Sequence, residues 1–317
     1  MWIRRVSLVL IAALVVLTTS SGVGWLPSAY DPNDFGSNQS TGIPGLEIPF
    51  TGAPGSIIRH AGFSLLYNEA HEQASWVAYE LTSGETQKRF ERTDRFVPDM
   101  KVSEGSSTGA DYARSGYDRG HLAPAGDMAW SATAMAESFY FSNISPQLPG
   151  FNRGIWKRLE EQVRTWAVEY QSVYIVTGPV LNPGLPAIGP NRVSVPSHFY
   201  KVILDYTGPD FRAIGFIMPN AASGDPLKEF AVSIDEVERI TGLNFFPLLP
   251  DDEEEQIESE LCTACWAWEI GSAGAPAPGV IQRAGGSAQC TGTTASGKRC
   301  RRMTSNPNQR CYQHGGK

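Results

Sequence analysis

Trp156, Leu159, Val163, Trp166 and Tyr170 recur at spacings of three and four residues, so a helix over Asn152–Tyr170 carries five large apolar side chains on one stripe. Such a stripe must be covered by another apolar layer. Runs rich in aromatic and β-branched residues lie on either side of it: His60–Asn68 and Ala74–Leu81 before, and Ser172–Pro179, His198–Leu204 and Phe211–Pro219 after. Each reads as a strand. The pattern predicts an α+β body, a mixed or antiparallel sheet flanked by helices, over residues 56–270. The three later strands are expected to supply sheet rather than chemistry. Ser131–Ser138 reads as a short helix capped by Ser131, and Phe139-Tyr140-Phe141 as buried sheet. Ser233–Thr241 reads as a helix stopped by Gly242, and Asp251–Glu255 as the acidic first turn of a final helix.

The flanks differ in composition. Arg4 and Arg5 precede an apolar run from Val6 to Leu17 and the small residues Thr18–Gly22, the pattern of a secretory signal peptide over residues 1–22. Twelve residues are too few to span a bilayer comfortably, so export to the periplasm or medium is expected, with no stable membrane span after processing. An uncleaved anchor is the competing reading. Residues 23–55, rich in Gly, Pro, Ser and Asn, read as a flexible lead-in, and residues 271–289 as a linker. Residues 290–317 form a small Cys/His-rich basic module. Of 26 Lys and Arg, seven follow Gly271, whereas all 33 Asp and Glu precede it. An acidic body with a basic tail argues against one broad polyanion-binding surface and leaves room for phosphate contacts in a single arginine-lined cleft.

Two stretches carry reactive groups: Asp118-Arg119-Gly120-His121 and Asn152-Arg153-Gly154-Ile155-Trp156. His121 can take a proton near neutral pH. The Asn152 amide oxygen suits a hard cation. Arg119 can stabilise charge on phosphate oxygens. Gly120 is expected to let the backbone turn before His121, and Pro124 to stiffen the exit. Asp118 could orient its neighbours or fix the loop. His60 and His71 read as structural, and Arg92 alone reads as part of a solvated charged loop. Helix geometry sets Glu160 and Arg164 on the flank of the apolar stripe, where a cleft wall and a surface salt bridge are equally good readings. A regular rise would separate Asn152 and Glu160 by about 12 Å along the helix axis.

Asp118-Arg119-Gly120-His121-x-x-Pro124, Ser142-Asn143-Ile144-Ser145-Pro146-Gln147 and Phe151-Asn152-Arg153-Gly154-x-Trp156-x-x-Leu159-Glu160, in that order, resemble the motifs of the DNA/RNA non-specific endonuclease family. The resemblance covers about Ile58 to Glu255 and implies a ββα-metal finger. It implies that His121 is the general base, that Asn152 holds magnesium (manganese as an alternative), and that Arg119 and Arg92 contact phosphate, with Arg95 as the fallback for Arg92. It also places Glu160 beside the ion's water, Arg164 at the substrate, and Asn143 within the site. The implied activity is cleavage of both DNA and RNA, without base preference, to 5′-phosphate ends. The competing functions are a phosphodiesterase acting on small phosphoesters and an inactive nucleic-acid-binding protein. Cys290, Cys300, Cys311 and His314 resemble small modules thought to bind zinc, while disulfides are an equal alternative. With Cys262 and Cys265 the cysteines number five, so full pairing leaves one thiol over.

Overall fold

Both faces of one antiparallel sheet are apolar, and the chain is arranged to cover them. The computed structural model describes residues 43–52, 55–207 and 210–268, with residues 281–282, 288–293, 300, 303–304 and 310 of the tail. The predicted signal segment, the first part of the lead-in, most of the linker, Cys311 and His314 lie outside the described residues. Three strands come first, β1 (Ile58–Arg59), β2 (Ser64–Asn68) and β3 (Gln73–Thr82), then α1 (Gly109–Tyr112), β4 (Asp118–His121), α2 (Ala132–Glu137) and β5 (Ile144–Gln147). The long helix α3 (Lys157–Glu169) leads to β6 (Ser172–Pro179), the small pair β7 (Ala187–Ile188) and β8 (Val193–Ser194), and the long strands β9 (His198–Asp205) and β10 (Asp210–Pro219). Last come β11 (Ala231–Val232), α4 (Ile234–Thr241), α5 (Asp251–Ser259) and β12 (Ile281–Gln282).

The sheet order is β1-β2-β3-β6-β9-β10-β11, with β12 also paired to β10. Every one of these pairings is antiparallel. Because β3 and β6 are neighbours, everything between them leaves the sheet and returns to it, and this excursion carries both reactive stretches. Alternation along the strands decides which layer each residue joins. Val77, Tyr79, Val173, Ile175, Ile203 and Phe216 meet Leu159, Val163 and Trp166 of α3 on one face. Trp76, Ala78, Tyr174, Val176 and Val202 meet Ile234 and Val237 of α4 and Ile257 of α5 on the other. Each such side chain taken from water contributes about 1.5–3 kcal/mol, so α3 is held chiefly by its stripe.

The expected stripe is buried as far as Trp166, and Tyr170 packs against it partly exposed. The helix itself is shorter than its apolar pattern. Phe151–Trp156 forms a wider π-type turn in which Gly154 leaves helical geometry (φ −107°, ψ −110°), and regular helix begins at Lys157. Asn152 therefore stands ahead of α3, and the axial separation from Glu160 expected for one regular helix does not apply. Ser131 and Ser233 cap α2 and α4 as expected, and Gly242 closes α4 at φ +71°.

Three other expectations change. Residues 43–52 are not free lead-in: Leu46 is fully buried, and the Phe50 backbone pairs with Asn244. Phe139-Tyr140-Phe141 is not a strand of the sheet; after α2 it passes through a single bridge at Tyr140 into a 3₁₀ turn. His60 lies outside β2, its ring held between Asp99 (2.9 Å) and Glu137 (3.5 Å), a structural role as expected. No helix among the described residues is long and apolar enough to cross a membrane.

Candidate active site

The two short strands β4 and β5 pair with Asp118 opposite Gln147 and His121 opposite Ile144. With α3 they make the expected finger. Gly120 is extended strand here rather than a turn. Its missing side chain matters because Gln147 lies across it, where any Cβ would collide. Asn143, expected within the site, is instead fully buried and spent on backbone. Its Oδ1 accepts from Ala123 N (2.9 Å), and its Nδ2 donates to Ala123 O (2.9 Å) and Ser138 O (2.8 Å). It ties down the segment leaving His121 and has no polar group left for substrate.

His121 is buried, with its ring packed edge-on against Phe139 (4.8 Å) and tilted against Phe96 (5.6 Å). Each phenyl face carries a guanidinium: Arg119 lies 4.0 Å from the Phe96 centroid and Arg92 4.9 Å from that of Phe139. The base and two cations thus share one aromatic support, cation–π contacts fixing side chains that would otherwise sway in solvent. His121 Nε2 has no hydrogen-bond partner among the described residues. Burial, and then the positive charge of Arg92, opposed by Asp94 and joined by the smaller effect of Arg119, lowers the imidazole pKa to about 3. The ring therefore stays neutral at physiological pH and keeps a lone pair free to accept a proton. Phosphate oxygens arriving between the arginines would offset their charge and raise its basicity.

This sign gives a pH prediction. The kcat/KM profile reports groups of the free enzyme. A histidine at its ordinary value would cut activity as pH falls through about 6.5. Here no loss attributable to His121 is expected between pH 7 and 5, the imidazole protonating only near its depressed value. The difference in kcat/KM between the parent and an Arg92→Gln variant across pH 4–8 checks it, since removing the cation should move any acid limb upward.

Asn152 and Asp118 are locked together. Asn152 Nδ2 donates to Asp118 Oδ2 (2.9 Å), and Arg153 grips the same carboxylate through Nε (2.8 Å) and Nη2 (2.6 Å). Burial pushes the Asp118 pKa up, but the bonds from Arg153 and Asn152 outweigh it and hold the carboxyl below its ordinary value. The open reading of Asp118 resolves: it orients Asn152, not His121. With the amide nitrogen committed, the carbonyl oxygen is what Asn152 can offer a cleft of about 520 Å³ lined also by Arg92, Asp94, Phe96, Asp118 and Arg119. A neutral oxygen beside an ionised carboxylate is the donor chemistry a hard cation accepts, so the residues fit the implied magnesium. Arg92, paired with Asp94 at 2.6 Å, is on the lining, and Arg95 is not.

Glu160 and Arg164 do not line that cleft. They are half-buried and join a polar cluster with the buried Tyr79, Asp127 and Lys201. Tyr79 Oη donates to Asp127 Oδ2 (2.8 Å), and Arg164 Nη1 donates to Asp127 Oδ1 (2.7 Å). Arg164 is thus partly neutralised by a fully buried carboxylate and is not the open substrate arginine expected. Burial raises the pKa of Glu160 and lowers that of Lys201, each partly restored by the other's opposite charge. Lys201 is the residue that sequence reasoning missed. Its Nζ, 4.8 Å from the Trp156 ring centroid, has no hydrogen-bond partner among the described residues. A lysine in the middle of the apolar run Phe199–Leu204 was the available signal, since lysine is almost never fully buried without a role.

A neutral base, a carbonyl ligand and guanidinium groups mounted on a ββα finger are the equipment of a nuclease that hydrolyses phosphodiesters. The chain belongs to the DNA/RNA non-specific endonuclease family, whose model matches residues 45–252. It is 37% identical over 268 residues to the mitochondrial nuclease EXOG of Danio rerio, covering 78% of this chain and 76% of that protein. It is 36% identical to mitochondrial endonuclease G of Homo sapiens (65% and 72% covered) and 37% identical to nuclease C1 of Cunninghamella echinulata var. echinulata (69% and 92%). A crystal structure of the EndoG/EndoGI complex superposes with a TM-score of 0.58 at 34% identity, covering 61% of this chain and 86% of that one.

Proposed function

We propose that the chain is an exported, magnesium-dependent endonuclease that cleaves DNA and RNA without base preference and leaves 5′-phosphate ends. The observation that carries the metal assignment is the Asp118–Asn152 bond, which commits the amide nitrogen and leaves its oxygen to the cleft. His121 takes a proton from water, and the resulting nucleophile attacks phosphorus in line while the bond to the 3′ oxygen breaks. Arg119 and Arg92 hold the non-bridging oxygens as charge moves onto them. Magnesium on Asn152, with manganese as a substitute, would supply Lewis-acid stabilisation of the departing 3′ oxygen. Glu160, whose charge acts on Lys201, Arg164 and Arg92, would hold the ion's water shell when ionised. No step uses a 2′-hydroxyl, so the chemistry does not select RNA.

Export is supported by Arg4, Arg5 and the apolar run Val6–Leu17, which lacks the arginine-rich amphipathic character of organelle transit segments. The disulfide between Cys262 and Cys265 fits an oxidising compartment. It also leaves three cysteines in the tail. Cys290 and Cys300 are buried against one another near the short antiparallel pair Ala288–Gln289 and Met303–Thr304. Three thiols cannot all pair among themselves, which favours zinc on Cys290, Cys300, Cys311 and His314.

The test is incubation with plasmid, single-stranded RNA and a chromogenic small phosphodiester, with and without chelator. Cleavage of both polymers, abolished by chelator and yielding 5′-phosphates, is expected. Hydrolysis confined to the small diester would favour a phosphodiesterase, and chelator-resistant cleavage would reject the metal.

The basic tail gives a further prediction. Residues after Gly271 carry seven Lys or Arg and no acid, and each phosphate contact they make adds about 0.9 to the slope of log affinity against log salt. A protein ending at Gly271 is expected to keep its turnover number while binding long DNA more weakly and with a shallower salt slope. Equal slopes would show that the tail is not a nucleic-acid tether.

A further inference from the structure

Helix α5 buries Glu253, Glu254 and Glu258, three carboxylates in nine residues, with no Lys or Arg of its own to balance them. Two of them have clear donors. Tyr206 Oη donates to Glu253 Oε2 (2.7 Å), and Asn244 Nδ2 donates to Glu254 Oε1 (3.1 Å). Glu258 differs: the residue is only 6% exposed, and its Oε1 has no hydrogen-bond partner among the described residues. An unpartnered buried carboxylate is costly enough that something must relieve it. What it faces is more negative charge, from Asp235 and Glu238 on α4. One carboxylate oxygen from each of Asp235, Glu238 and Glu258 lies within 4.8 Å of the other two.

We propose that Asp235, Glu238 and Glu258 form a calcium site that pins α5 to α4. The ligand set selects the ion. Calcium takes six to eight oxygens in flexible geometry and is readily held by several protein carboxylates, whereas magnesium demands near-ideal octahedral geometry, keeps several waters and is seldom held by an all-protein cage. Nearby cations do not compete: Arg239, on the same helix, is committed to Glu236 through two bonds (2.7 and 2.6 Å). Glu238 is already oriented, one of its oxygens accepting from Phe245 N (2.7 Å). The carboxylates of Asp235 and Glu238 facing a buried Glu258 concentrate negative charge that a divalent cation would remove. The partly exposed Glu238 and the exposed Asp235 give the ion a way in from solvent. The site lies on helices covering the sheet face opposite α3, so it is structural and separate from the cleft at Asn152.

The test is thermal melting of the full-length protein, stripped with chelator, then in calcium or magnesium at about 1 mM. Calcium is expected to raise Tm by about 3 °C or more, the linkage shift for a ligand well above its Kd, and magnesium by much less. Asn152→Ala should keep the calcium shift, which separates it from the catalytic ion. Glu258→Gln should lose it. Should Glu258→Gln fail to fold, Asp235→Asn, at an exposed position, decides: a rise of about tenfold or more in the calcium concentration giving half the shift supports the site, and an unchanged concentration overturns it. No calcium shift in the parent, or a full shift in Glu258→Gln, would also overturn it. A parent indifferent to calcium but stabilised by Glu258→Gln in chelator would show that a proton, not a cation, relieves the carboxylate.

Discussion

Replacing His121 with alanine is expected to lower kcat by about 10²- to 10⁴-fold, the usual contribution of a positioned general base and about 3–5 kcal/mol of barrier. The geometry explains why the effect belongs to chemistry rather than folding. The ring sits between Phe96 and Phe139, which also contact each other at 5.0 Å, and Asn143 fixes the following backbone through three bonds that do not involve the imidazole. Arg119 and Arg92 keep their own seats on Phe96 and Phe139, so DNA binding should persist. The check is kcat and Kd on one plasmid substrate, with a melting curve for each variant. His121→Gln, which roughly fills the space without a comparable base, should fall as far as alanine. Near-normal turnover in either would remove His121 from the mechanism.

Local signals in the sequence were enough for the elements. The three- and four-residue spacing from Trp156 to Trp166 announces α3, and the apolar runs announce β3, β6, β9 and β10, because each pattern records which face meets the core. The motif residues His121, Asn152, Arg119 and Arg92 could be assembled before any coordinates, through likeness to a family. What was hidden depends on contacts distant in sequence. Gly120 reads as a turn glycine until Gln147 is seen lying across it. Asn143 reads as a site residue until its amide is seen closing on Ala123 and Ser138. Arg164 reads as a cleft arginine only through likeness to the family, because helix phase gives direction but not partner, and its partner Asp127 lies 37 residues earlier. Gly154 breaks the phase itself, so the distance between Asn152 and Glu160 was inaccessible to periodicity. Lys201 could have been flagged as a charge inside an apolar strand, but only the fold brings it to Glu160.

Replacing Asn152 with alanine is expected to remove the proposed direct protein ligand of the catalytic ion, so activity at low magnesium should fall steeply and return in part as magnesium is raised. The half-saturating magnesium concentration, rather than kcat alone, is the diagnostic quantity. Asp118→Asn separates ligation from orientation. It leaves the Asn152 oxygen in place but replaces the carboxylate that receives Asn152 Nδ2 and both bonds from Arg153, so a smaller rise in the magnesium requirement is expected. Asn152→Asp is the instructive third case. A carboxylate also ligates hard cations, yet this one would stand within hydrogen-bond distance of Asp118, and two such acids cannot both ionise cheaply without the ion between them. Metal affinity in that variant should therefore rise with pH as the pair deprotonates, while the parent, whose ligand is a neutral amide, should show little such dependence. Titrating activity against magnesium at pH 6 and pH 8 for the parent and all three variants measures each term. An unchanged magnesium requirement in Asn152→Ala would place the ion elsewhere.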